Sequence, residues 1–142
     1  MAVFECQYTT DANKILELAK EHPSPEYDCG FDEFKAAFMK LFLERGNFRC
    51  WLLTNGGDKP IGYIAAYRNK FLKNEIDVFD LFVKRNHRGI KEVLDLIEVV
   101  KQWAIDAKAL RVRWETSHSA GIWSRLTKLP LSERVIVEWR TK

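Results

Sequence analysis

Residues 76–104, IDVFDLFVKRNHRGIKEVLDLIEVVKQWA, limit the chain to few folds. Ile76 to Val83 is dense in β-branched and aromatic residues and reads as a strand that ends at a charged stretch. Past Gly89, apolar residues recur at Ile90, Val93, Leu94, Ile97, Val100 and Trp103, the intervals of a helix of about four turns. Lys84-Arg85-Asn86-His87-Arg88-Gly89 joins the two. A buried strand that passes through a basic, glycine-containing turn into a helix offers its first free N–H groups to an anion. This unit is the expected functional centre.

The flanking sequence supplies a sheet and further helices. Val3 to Thr9 alternates as a strand, and Thr10 or Asp11 caps a helix that Pro23 and Pro25 stop. Glu21 to Gly30 reads as a connector, with a substrate lid as its alternative. Phe31 to Arg45 is a second helix with Phe34, Ala37, Phe38, Leu41 and Phe42 on one side, and Gly46 sits where a C-cap glycine belongs. Phe48 to Thr54 and Ile61 to Tyr67 flank an Asn-Gly turn, a hairpin signal. After the central helix come a strand at Leu110 to Thr116, a short helix at Ser119 to Leu129 closed by Pro130, and a last strand at Arg134 to Arg140. The order β-α-α-β-β-β-α-β-α-β predicts an α/β (α+β) chain, with one mixed, mostly antiparallel sheet and helices on both faces. Residues 1–142 read as a single domain.

Composition narrows the function. A net charge of +3 permits an anionic ligand but lacks the clustered basic face of a nucleic-acid-binding protein. Cys6, Cys29 and Cys50 form neither a disulfide framework nor a CxxC pair, and no His/Cys group has zinc-ligand spacing, so no metal is expected. No run nears the ~20 apolar residues of a membrane span, and the N-terminus lacks a signal-peptide build. The expectation is a soluble, cytoplasmic protein with reduced thiols.

The element order, with Asp80-Leu81-Phe82-Val83 running through Arg88-Gly89 into a long helix, resembles the GCN5-related N-acetyltransferase (GNAT) family over nearly the whole chain. That family carries Gln/Arg-x-x-Gly-x-Gly/Ala at the central turn. Here Val83 and Arg88-Gly89 match, whereas Asn86 replaces the leading residue and Lys91 the last glycine. The resemblance implies an acyl-CoA N-acyltransferase-like fold with acetyl-CoA as co-substrate. Its pantetheine arm would lie along the backbone of Leu81, Phe82 and Val83. Its pyrophosphate would meet the turn amides of Asn86, His87, Arg88, Gly89, Ile90 and Lys91. Arg88 is then a phosphate contact, or else a solvated turn residue. Asn86 caps the helix or takes a left-handed turn position, and His87 is most simply a surface residue. Lys91 either pairs with phosphate as a point charge or obstructs the site.

The same resemblance implies an acetyl acceptor that is an amine of a small molecule or peptide. It places a carboxylate base about six residues ahead of Val83, at Asp77, with Glu75 and Asp80 nearby. By strict alternation Asp77 shares a face with Phe79, Leu81 and Val83, while Asp80 points the other way with Ile76 and Phe82. A carboxylate on an apolar face has a raised pKa, which suits a base; at a frayed strand end it would simply meet water. Ser117 stands where the family has Asn, and Trp123 stands where many members have an acid Tyr, leaving His118 or Ser124 as substitutes. Two functions follow: an N-acetyltransferase, or a degenerate relative that keeps the fold as a binding or structural module. Compact members of this kind occur in bacteria and their phages. The reduced C-terminus leaves an edge strand that a second copy could pair with as a homodimer.

Overall fold

The computed structural model describes residues 5–21, 31–44, 47–55, 59–69, 74–84, 90–115 and 136–141. Its strands are β1 (Glu5–Thr9), β2 (Phe48–Thr54), β3 (Pro60–Arg68), β4 (Glu75–Val83), β5 (Arg111–Glu115) and β6 (Ile136–Arg140). Its helices are α1 (Ala12–Ala19), α2 (Phe31–Phe42) and α3 (Ile90–Asp106). The strands lie in one sheet in sequence order, antiparallel throughout except for the parallel pair β4–β5. That one parallel step requires a crossover, and α3 supplies it. The mixed, mostly antiparallel sheet read from the sequence is therefore present. The expected helix at Ser119 to Leu129, the cap at Gly46 and the loop beyond Glu21 lie outside the described residues.

Each face of the sheet has its own core. α3 lays Leu96, Ile97, Val100, Trp103 and Ala104 against Leu53, Ile61, Ile64, Ala66, Ile76 and Val83. Of the expected stripe, Ile97, Val100 and Trp103 are buried, Val93 is half-buried against the core, and Leu94 is half-buried outside it while Leu96 takes the buried place; the side chain of Ile90 lies outside the described residues. On the opposite face α1 buries Ile15, Leu16, Leu18 and Ala19. Asp11 starts that helix by accepting from the Asn13 N–H at 3.1 Å. α2 turns Phe34 and Phe38 inward, four residues apart on one face, and both rings reach Phe79 of β4. Ala37, expected on that face, is exposed.

The register of β3 against β4 breaks once. Ala66 pairs with Val78 and Ala65 with Asp80, so Phe79 is an extra residue, a β-bulge. Before it, strand alternation behaves as expected; after it, every side chain has changed face.

Candidate functional site

Four residues meet around the first rungs of β4. Glu75, Ile76 and Asp77 pair in parallel with Arg111, Val112 and Arg113. In sequence, Arg111 and Arg113 alternate with apolar neighbours. The parallel register sets them opposite the two carboxylates. Glu75 is 1% exposed, and its Oε1 accepts from Arg111 Nε at 2.7 Å, with Arg113 Nη1 3.7 Å from the same oxygen. Burial opposes ionisation of Glu75, but the neighbouring Asp77 carboxyl and the two guanidiniums outweigh it and hold its carboxyl below the ordinary value.

Asp77 is only partly buried, yet the environment of its two oxygens differs. Oδ2 accepts from Asn69 Nδ2 at 3.0 Å, whereas Oδ1 is buried and meets no donor. Burial, and then the neighbouring Glu75, push the Asp77 carboxyl up to about 6; the Asn69 amide and Arg113 pull weakly the other way. A group titrating there is mostly ionised at neutral pH and still basic enough to take a proton.

Past this cluster the described pairing of the two strands stops. Both continue, β4 to Val83 and β5 to Glu115, but among the described residues their pairing stops at Asp77 and Arg113. From Val78 onward β4 keeps β3 as its neighbour. Asp77 thus stands where the β4–β5 ladder ends.

The bulge corrects the expected placement of the carboxylates. Asp77 lies opposite Tyr67 on the α1/α2 face, as do Phe79, Asp80 and Phe82. Leu81 and Val83, expected beside Asp77, pack on the α3 face with Ile76 and Val78. Asp80 therefore shares a face with Asp77 rather than opposing it, because the extra residue at Phe79 resets the alternation. Asp80 is buried and accepts from the Tyr63 hydroxyl.

The side chains of Leu81, Phe82 and Val83 are committed to packing, so it is their backbone that borders the parted strands. Lys91 is exposed on the first turn of α3, with its side chain in solvent. Asn86, His87, Arg88, Gly89 and Ser117 lie outside the described residues, as does the side chain of Ile90. Sequence reasoning missed Asn69, Arg111, Arg113 and Tyr63. The alternation of Leu110-Arg111-Val112-Arg113 was the one available signal, and it needed the parallel register to become meaningful.

Other chemistry is poorly provided for. The thiols of Cys6 and Cys50 are pushed up to about 11 and about 12, chiefly by burial, which makes them packing groups rather than nucleophiles. Among the described residues no His/Cys/Asp/Glu group could hold a metal ion, and no helix is long and apolar enough to cross a membrane.

Comparison with solved structures gives close matches in shape at low identity. An acetyltransferase of the GNAT family from Staphylococcus aureus aligns with a TM-score of 0.72 at 15% identity, over 99% of this chain and 100% of its own. AAC(6')-Iy, solved with the bisubstrate analogue CoA-S-monomethyl-acetylneamine, gives 0.70 at 18% identity over 99% of both chains. The PaiA N-acetyltransferase of Thermoplasma acidophilum, solved with coenzyme A, gives 0.69 at 13% identity over 97% of this chain and 99% of its own. A sequence comparison with curated proteins finds no match. The acetyltransferase (GNAT) family model matches residues 12–122, most of the described sheet together with the three described helices, and the chain belongs to that family.

Proposed function

We propose that the chain is an acetyl-CoA-dependent N-acetyltransferase that acts on an amine of a small molecule or peptide, with Asp77 as its base. The observation that carries this reading is the end of the β4–β5 ladder at Asp77 and Arg113. Among the described residues β4 beyond Asp77 has a neighbour on one side only, and a strand so placed presents backbone groups that an extended, amide-containing ligand can meet as a pseudo-strand. The pantetheine arm of acetyl-CoA has that chemistry, and it would run along Leu81, Phe82 and Val83. The pyrophosphate would then reach the turn at Asn86, His87, Arg88 and Gly89 and the start of α3 at Ile90 and Lys91, where helix N–H groups and positive charge favour it. Ser117, just past β5, would border the same cleft.

The reaction then follows from the acid–base state of Asp77. Its carboxylate takes one proton from the acceptor ammonium, and the freed amine attacks the thioester carbonyl. The N–C bond forms and the C–S bond breaks. The nitrogen loses its second proton as it becomes an amide, and the CoA thiolate takes that proton up. Two acidic groups on one face, Asp77 and Asp80, suit a cationic acceptor. Free thiols and the absence, among the described helices, of a membrane-length apolar one fit the cytoplasm.

Calorimetric titration with acetyl-CoA, followed by thiol-release assays over a panel of amines, tests the proposal. Binding with turnover that Asp77→Asn lowers by about 100-fold or more, the usual size of a general-base contribution, is the expected result. No binding at millimolar acetyl-CoA would sink it. Binding without turnover on any amine would favour the degenerate module instead. Arg88→Ala should weaken coenzyme A more than a pantetheine fragment lacking the phosphates; equal losses would remove Arg88 as a phosphate ligand.

A further inference from the structure

We propose that Glu75 is the positioning residue of this site: clamped by Arg111 and Arg113 where the β4–β5 ladder ends, it shares one proton with Asp77 across two neighbouring carboxyl groups. The inference rests on the reading of Asp77 as the base and names what sets that base.

The geometry leaves Glu75 little freedom. It is almost fully enclosed, and an ionised carboxylate so placed needs counter-charge. Arg111 and Arg113 supply it on one oxygen, at 2.7 and 3.7 Å. Because they come from β5, the ion pair also ties the two strands together at the last rungs before they part. Glu75 and Asp77, two residues apart on one strand, point to the same face.

Asp77 completes the pair. Its Oδ2 is occupied by Asn69, while Oδ1 is buried without a donor. A buried acceptor without a donor is costly, and adjacent carboxyls resist double ionisation. Below the Asp77 midpoint a proton on Oδ1 resolves both difficulties, because Oδ1–H then donates to Glu75; at neutral pH the pair is mostly without that proton and ready to take one. Among the described residues, the groups that act on Asp77 are Glu75 of its own strand, Asn69 beyond the end of β3 and Arg113 of β5; Tyr67 is its cross-strand neighbour. Arg111 acts through Glu75. The raised titration of Asp77 and the lowered one of Glu75 agree with the proton residing on Asp77. During turnover, the proton that the Asp77 carboxyl takes up is shared with Glu75, which stays on its arginines and never touches the substrate.

Carboxyl-carbon NMR of the full chain without substrate tests the pairing directly. The Asp77 carboxyl should titrate at about 6, and the Glu75 carboxyl should show an inflection at the same pH. Glu75→Gln should move the Asp77 midpoint down toward its ordinary 3.8, stopping short because burial persists. Asn69→Ala removes a donor to the carboxylate and should move it up. Opposite shifts support the pair; an unmoved midpoint in Glu75→Gln, or shifts of the same sign, as general loosening would produce, would overturn it. Should Glu75→Gln fail to fold, the wild-type titration decides, since a Glu75 signal silent at the Asp77 midpoint rules out a shared proton. In turnover, the acid limb of kcat/KM should follow the Asp77 midpoint to lower pH in Glu75→Gln. If the pair titrates as stated while Asp77→Asn keeps full activity, the pairing stands and the base role fails. If Asp77→Asn is inactive and the pair does not couple, the base role stands and the positioning role fails.

Discussion

Gly62 of β3 faces Val83 at the end of the β3–β4 ladder, and the space between the strands there admits no side chain. A Cβ at position 62 would lie 2.6 Å from the Phe82 carbonyl oxygen, 3.1 Å from Val83 Cα and 3.2 Å from Val83 Cγ2. Real Cβ contacts essentially never fall below 3.0 Å, so Gly62→Ala demands a displacement of at least 0.4 Å (3.0 minus 2.6). Two of the three atoms are backbone, so β4 itself has to move. Overpacking of this kind costs about 1–3 kcal/mol, against which alanine recovers roughly 0.5–1 kcal/mol of the backbone entropy that glycine loses in a strand. Taking the middle of both ranges, the net loss is about 1 kcal/mol, or roughly 2–4 °C in Tm. Urea denaturation followed by tryptophan fluorescence reads the stability, and calorimetry with acetyl-CoA reads the site. Since the displaced backbone is the proposed pantetheine contact, binding should weaken by about tenfold for each 1.4 kcal/mol lost there. Wild-type stability to within about 0.5 kcal/mol would refute the packing argument. A loss of stability with unchanged acetyl-CoA affinity would show that Phe82 and Val83 lie outside the cleft.

Two further outcomes follow from burial and charge. Phe38 is fully buried and touches Phe34, Phe42, Phe48 and Phe79, so Phe38→Ala should cost about 3–5 kcal/mol in a urea melt. Asp77 has a folded-state pKa raised from 3.8 to about 6, so the folded chain binds its proton more tightly than the unfolded one. Stability therefore falls as pH rises between those values, and the loss is complete above the upper one. Asp77→Asn should gain stability relative to the wild type at about pH 8 compared with about pH 4; a difference independent of pH would contradict the raised pKa.

The order of the described elements was legible because each carries a local signal. Hydrophobic spacing marked α2 and α3, a cap and two prolines bounded α1, and alternation, β-branched and aromatic composition or an Asn-Gly turn marked the strands. The chemistry around Asp77 was half legible. Asp77 itself could be placed by its distance from Val83, but its surroundings depend on contacts between residues far apart in sequence. Glu75 meets Arg111 across 36 positions, and no local pattern announces that. The face of Asp80 was misread for a different reason. One unpaired residue inside a strand leaves composition and hydrophobicity unchanged, yet it inverts the parity of all that follows. Asp-Leu-Phe-Val alternates equally well in either phase.

That extra residue also bears on how the strands come apart. Glu75 to Asp77 is held on both sides, by β3 and β5, and a strand so held has no room for an insertion. Phe79 sits two residues further on, where only β3 remains as a described neighbour. A bulge bends its strand and steepens its twist, so it would carry Leu81, Phe82 and Val83 away from the line of β5. Deleting Phe79 is informative because Val78 and Asp80 already pair with consecutive residues, Ala66 and Ala65. The deletion leaves every other side chain on its present face and straightens β4. Phe79→Ala is the matching control: it removes the ring from Phe34, Phe38 and Phe48 but keeps the extra backbone unit. Both variants should lose stability, by about 3–5 kcal/mol for the lost ring if it packs as a core residue and less in proportion to its exposure. Only the deletion should abolish acetyl-CoA binding, because only it lets β4 and β5 continue pairing beyond Asp77 and Arg113. Equal acetyl-CoA affinities in the two variants would mean that the bulge does not hold the strands apart, and the parting would then have to originate in β5.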